Sequence, residues 1–199
     1  MSSERPRNVL TFPNLITALR LTCLPVFLWL LFGRDERAQA AVLLGILGIS
    51  DWVDGWVARR FNQCSAFGAL FDPATDRLLF IVGTWAVLES GAIPMWFGLA
   101  IIGRELSIGA AMIIATLFGM QRFEVSLLGK RYTFLLMMAV PLLLLGSSDH
   151  FTAQAAEIGG WVLGVPGLIL CYYTAVAYIP KIRENLTAGR ADRHLFKER

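Results

Sequence analysis

With 199 residues, 56% of them hydrophobic and only 17% charged, this chain is one domain that falls short of the roughly 25% charged residues of soluble proteins. Its mean hydropathy of +0.58 points to the bilayer. The net charge of +3 is too small for a nucleic-acid footprint, and three scattered cysteines with two histidines exclude a disulfide framework and a zinc site.

Cys23, Cys64 and Cys171 read as small apolar residues. A spanning helix needs about 20 mostly apolar residues, and six such segments are predicted, over 14–33, 40–58, 69–88, 93–118, 133–147 and 156–179. The expected fold is an all-α integral membrane protein with six transmembrane helices. A domain over 1–182 holds the spans, and a basic tail, 183–199, follows. Arg20 inside the first span, with no small-residue cleavage site after it, argues against a signal peptide. Asn14 and Thr17 open that span as helix-end caps or as nucleotide contacts. Trp96 and Trp161 stand near span ends, where aromatic belts form. The Leu/Met-rich run 135–145 is lipid-facing or bundle packing.

Lys and Arg set the orientation. One side would carry Arg5, Arg7, Arg59, Arg60, Arg122, Lys130, Arg131, Lys181, Arg183, Arg190, Arg193, Lys197 and Arg199, and the other only Arg34 and Arg37. The basic side faces the cytoplasm. This predicts a multi-pass protein of the cell membrane with both termini inside. The tail either rests on anionic headgroups, at ~1 kcal/mol per cation, or is simply solvated.

Acids interrupt the second and third spans. Asp51 and Asp54 are i,i+3 in the cytoplasmic half of one, and Asp72 and Asp76 are i,i+4 near the cytoplasmic start of the next. Ionisable residues at membrane depth are costly and mark functional sites. At about 100° per residue, Asp51, Asp54, Gly55 and Ala58 share one helix face, and Arg59 extends it. Asp72-Pro73 either lies inside the third helix, which then reaches back to Gly68, or caps its start. Four carboxylates so close need cations, and an oxygen-only donor set suits Mg²⁺ or Mn²⁺. Two such ions would balance the charge and are what in-line displacement at phosphorus uses. Gly55, Ala58 and Gly68 leave room for a phosphate-bearing ligand, and Arg59 can meet its oxygens.

The run Asp51-x2-Asp54-Gly55-x2-Ala58-Arg59-x8-Gly68-x3-Asp72-x3-Asp76 resembles the signature of the CDP-alcohol phosphotransferases at every defined position. The likeness extends along most of the chain and includes Pro13-Asn14-x2-Thr17-x2-Arg20. It implies a homodimer of six-helix subunits with a cytoplasm-facing site. It also implies that Asp51, Asp54, Asp72 and Asp76 hold two Mg²⁺ or Mn²⁺ ions, and that Asp76 is the general base. Gly55, Arg59 and Ser65 would contact the CDP moiety of CDP-diacylglycerol, with Ala58 and Gly68 supplying space. The implied activity is phosphatidyl transfer to an alcohol, with release of CMP.

Asn62-Gln63-x-Ser65, Leu70-Phe71-Asp72-Pro73 and Gly129-Lys130 followed by Thr133-Phe134 look like the members of the family that make cardiolipin. The acceptor would then be phosphatidylglycerol, with glycerol 3-phosphate the alternative. Lys130, Arg131 and Arg104 could hold the phosphate of either acceptor. Equally, Lys130 and Arg131 could anchor the interface, and Arg104 could pair with Glu105. An ion-coupled transporter is the rival class, but it would more often carry paired half-sequences, and none is visible here. The readings leave no role for nucleic acid.

Overall fold

The computed structural model describes residues 12–61, 68–117 and 127–197, with side chains over 19–50, 75–111, 114 and 132–177. These residues are helical throughout, apart from short turns. The elements are α1 (Phe12–Leu28), a π-helical turn (Trp29–Gly33), α2 (Arg37–Phe61), α3 (Gly68–Glu89), α4 (Met95–Leu117), α5 (Leu127–Gly146) and α6 (Ala153–Lys197).

Each predicted apolar run falls on one helix, with the ends adjusted by local chemistry. The first run does not end as an α-helix. The Arg34 amide donates to the Trp29 carbonyl at 3.1 Å, widening the last turn, and the Trp29 ring lies where a β-carbon on Gly33 would sit, 2.9 Å from its Cδ1. The α3–α4 turn closes at Gly91, whose φ of 75° favours glycine. Helix α6 continues well past its apolar part, and the basic segment expected as a tail prolongs the helix to Lys197.

Phe27, Leu31, Ala40, Val87, Phe97, Ile101, Leu136, Val140, Leu144 and Cys171, drawn from all six helices, share one buried core. Cys171 is fully buried, and Cys23 and Cys171 are free thiols, as their apolar reading anticipates. The outer surface is apolar too. Leu19, Val26, Phe32, Ile46, Trp85, Leu99, Ile158, Val162, Ile169 and Val176 are exposed, on five different helices and the π-turn. Helices apolar all round belong in a large core or in lipid. Among the described residues, Ala153–Ala177 is long and apolar enough to cross a bilayer, while Leu19–Gly33, Arg37–Ser50 and Tyr132–Gly146 are shorter apolar segments.

Helices α5 and α6 form the most extensive pair. Their approach depends on a glycine stripe at helical spacing, Gly160, Gly164 and Gly167. A β-carbon on Gly160 would lie 2.7 Å from Leu143 Cγ and 3.0 Å from its backbone nitrogen, and one on Gly164 would lie 2.9 Å from Phe97 Cζ. Small residues let helix backbones come this close. Gly160→Ala is therefore expected to destabilise the protein by about 1–3 kcal/mol through overpacking, less the ~1 kcal/mol that alanine adds in helix propensity. Gly159→Ala, whose β-carbon would meet only Leu142 Cδ1 at 3.8 Å, should be neutral or stabilising. Thermal unfolding midpoints of the two variants, measured side by side, test the contrast.

At the end opposite the aspartates, Arg37 ties three helices together. It donates to the Ser90 carbonyl at 3.1 Å and to Ser147 Oγ at 3.3 Å, and it also pairs with Asp35 at 3.6 Å, while Arg34 pairs with Glu36 at 3.8 Å. Trp96 and Trp161 stack on each other at 6.3 Å, and both meet Phe97 edge-on, joining α4 to α6.

Candidate active site

Helix α2 runs through Phe61, so the backbones of Asp51, Asp54, Gly55, Ala58 and Arg59 keep one continuous helical register. Helix α3 begins at Gly68, which decides between the two readings of Asp72-Pro73. Both residues lie inside the helix, and Asp72 and Asp76 are separated by one helical turn.

Asp76 is the one of the four aspartates whose side chain is described. Its Oδ1 accepts a hydrogen bond from Arg20 Nη1 of α1 at 2.7 Å. The Arg20 side chain is 7% exposed and that of Asp76 is 29% exposed, so the carboxylate can be reached from outside and its cation cannot. The pair sits at one end of a narrow cleft between α1, α2, α3 and α5. Leu44, Leu47, Leu79, Phe80, Met137 and Val140 make its walls. Gly83 brings α3 against α2, since a β-carbon there would lie 3.1 Å from Leu44 Cδ1. Thr84, two turns beyond Asp76, also lines the cleft, and its buried hydroxyl has no hydrogen-bond partner. The result is an apolar slot with a charged mouth.

Ser65 lies outside the described residues, as do the side chains of Asp51, Asp54, Asp72, Ala58, Arg59, Lys130 and Arg131. Among residues with described side chains, no group of three or more His, Cys, Asp or Glu could hold a metal ion. The four aspartates stand at i,i+3 and i,i+4 spacing on consecutive helices, and carboxylates are the donor type that hard dications take.

Arg104 takes the second of the roles its sequence position allows. It is buried, and its Nη1 donates to Glu105 Oε1 at 2.6 Å. The same nitrogen meets the Tyr132 hydroxyl, and Nη2 donates to Thr174 Oγ1 at 3.2 Å. The guanidinium thus ties α4, α5 and α6 together. A buried cation is bound by the nearest acid and hydroxyls because leaving it unpaired in an apolar interior is too costly.

Sequence reasoning did not assign a role to Arg20 or Thr84. For Arg20 the signal was present, as a lone cation in the middle of an apolar run. Thr84 carried none.

The sequence model of the CDP-alcohol phosphatidyltransferase family matches residues 10–170. The cardiolipin synthase (CMP-forming) of Streptomyces coelicolor is 35% identical over 188 residues, covering 92% of this chain and 87% of the relative. The CDP-diacylglycerol–glycerol-3-phosphate 3-phosphatidyltransferases of Rickettsia typhi and Bacillus subtilis are 33% and 30% identical, covering 79% and 75% of this chain and 89% and 86% of the relatives. The chain belongs to the CDP-alcohol phosphatidyltransferase family, membrane-associated transferases of phospholipid biosynthesis that use divalent metal ions.

Proposed function

We propose that this enzyme transfers the phosphatidyl group of CDP-diacylglycerol to a hydroxyl of phosphatidylglycerol, giving cardiolipin and CMP. The observation that carries the reading is the Asp76 carboxylate, held at the mouth of an apolar cleft and in helical register with Asp72. That polarity gradient suits a donor with a charged diphosphate and acyl tails. The protein would act as a homodimer of six-span subunits in the cell membrane, with the site and both termini facing the cytoplasm. The apolar outer surface of the bundle supports that placement.

Asp51, Asp54, Asp72 and Asp76 would hold two Mg²⁺ or Mn²⁺ ions, which when bound neutralise charge on the diphosphate and on the leaving CMP. Gly55, Ala58 and Gly68 leave space at the helix backbones for the nucleotide, with Ser65 and Arg59 as its polar contacts. Asp76 takes the proton from the acceptor hydroxyl. The alkoxide oxygen bonds to the phosphorus bearing diacylglycerol, the phosphoanhydride bond to CMP breaks, and the leaving phosphate keeps that electron pair beside Arg59. Lys130 and Arg131, at the start of α5, would draw in the acceptor phosphate.

Likeness to the Streptomyces coelicolor synthase over 92% of this chain favours phosphatidylglycerol. The likeness to the Rickettsia typhi and Bacillus subtilis enzymes supports glycerol 3-phosphate as the second reading. The test is CMP release from CDP-diacylglycerol with Mn²⁺, each acceptor offered separately. Phosphatidylglycerol should raise the rate at least about tenfold above glycerol 3-phosphate, a difference of ~1.4 kcal/mol in the barrier. The reverse order would make the chain a glycerophosphate enzyme, and no CMP with any acceptor would favour the transporter class.

A further inference from the structure

We infer that the end of the bundle opposite the aspartates carries a second site, which takes an alkylammonium group of the kind borne by aminophospholipid headgroups. A cavity of about 360 Å³ opens there, bounded by the α3–α4 turn (Gly91, Pro94), the close of α5 (Gly146, Ser147) and the opening of α6 (Glu157, Trp161). That volume falls in the ~300–1,000 Å³ range of small-molecule sites. In the membrane placement proposed above, the cavity stands at the outer headgroup level, where lipid-borne ammonium groups are at hand. Only the source of the ligand rests on that placement.

The chemistry of the wall selects the ligand. Glu157 lies within Ala153–Ala177, the segment long and apolar enough to cross a bilayer, and an acid in such a segment calls for a cation. Among the described residues its carboxylate has no ion-pair or hydrogen-bond partner. The arginines at this end are committed elsewhere, Arg34 to Glu36 at 3.8 Å and Arg37 to Asp35 at 3.6 Å and to the Ser90 carbonyl at 3.1 Å. The root of the Glu157 side chain is fixed, because a β-carbon on Gly146 would lie 2.7 Å from Glu157 Cβ and 2.8 Å from its Cα. Trp161, one helical turn on, lines the same cavity and is held by Trp96 at 6.3 Å and Phe97 at 5.2 Å. A carboxylate beside an indole attracts an organic ammonium through its charge and through the ring's negative face. A hard dication needs several oxygen ligands, and this wall offers one carboxylate among apolar side chains.

The experiment titrates the full-length protein, in a non-ionic detergent, with phosphatidylethanolamine and with its N-acetyl derivative, which keeps the phosphate and acyl chains but lacks the ammonium. Bound lipid is read by native mass spectrometry. The unaltered protein should hold phosphatidylethanolamine about tenfold more tightly than the derivative (~1.4 kcal/mol). Glu157→Gln, a near-isosteric change at an exposed side chain, should weaken phosphatidylethanolamine binding about tenfold while the circular dichroism spectrum and CMP release stay unchanged. Displacement of the lipid by millimolar free ethanolamine would show that the ammonium alone is read, and its failure to displace would show that the lipid-borne form is; both outcomes uphold the site. Equal binding of the two lipids by the unaltered protein overturns the inference, as does phosphatidylethanolamine binding that Glu157→Gln leaves unmoved. CMP release, measured in parallel, tests the catalytic reading alone, so the two fail separately.

Discussion

Asp76→Asn is expected to lower CMP release by about a thousandfold or more while the protein still accumulates in the membrane. A positioned general base contributes about 10²–10⁴-fold, and the same change removes one of four proposed metal ligands. Asparagine is nearly isosteric and can still accept a hydrogen bond from Arg20, so the α1–α3 contact loses its charge but not its shape. Some stability should be lost, because the Arg20 side chain is only 7% exposed and its partner becomes neutral. The measurement is turnover of CDP-diacylglycerol with saturating Mn²⁺, with the unfolding midpoint recorded on the same preparation. Turnover within tenfold of the unaltered enzyme would remove Asp76 from the chemistry.

Glu105→Ala should be the most destabilising of the single changes considered, by about 3–5 kcal/mol. The carboxylate is 2.6 Å from Arg104 Nη1, and the two side chains are 8% and 3% exposed. Truncating Glu105 strands a guanidinium that also touches Tyr132 and Thr174, the latter at 3.2 Å, inside the packing of α4, α5 and α6. The double change Arg104→Met with Glu105→Leu should recover most of the loss, since an apolar pair of similar volume removes the need for compensation. Tyr132→Phe, which deletes one hydroxyl from the network, should cost only about 1 kcal/mol. Unfolding in detergent, followed by circular dichroism, ranks the three. A Glu105→Ala protein as stable as the parent would mean that water or lipid headgroups reach Arg104.

The glycine stripe of α6 and the arginine of α4 show where sequence reasoning stopped. Gly160, Gly164 and Gly167 stand at a helical spacing visible in the chain, yet nothing in that spacing says which helix they meet. Leu143 on α5 and Phe97 on α4 are the answer, and both depend on how α6 is rotated. Arg104 admitted two roles on sequence grounds, substrate contact or partnership with Glu105. The partnership with Glu105 is the one seen, and it is completed by Tyr132 and Thr174, residues 28 and 70 positions away. The first span was expected as a plain helix to residue 33, and its π-helical close depends on Trp29 folding over Gly33.

Hydropathy and periodicity are local properties, so six apolar helices and the register of Asp51, Asp54, Asp72 and Asp76 could be derived from the chain alone, as could the family resemblance they carry. Relative rotation and depth of helices are collective, set by the interdigitation of side chains distant in sequence. Only the folded bundle could therefore bring Arg20 to Asp76, close the apolar cleft behind them, and turn Arg104 inward to a carboxylate of its own.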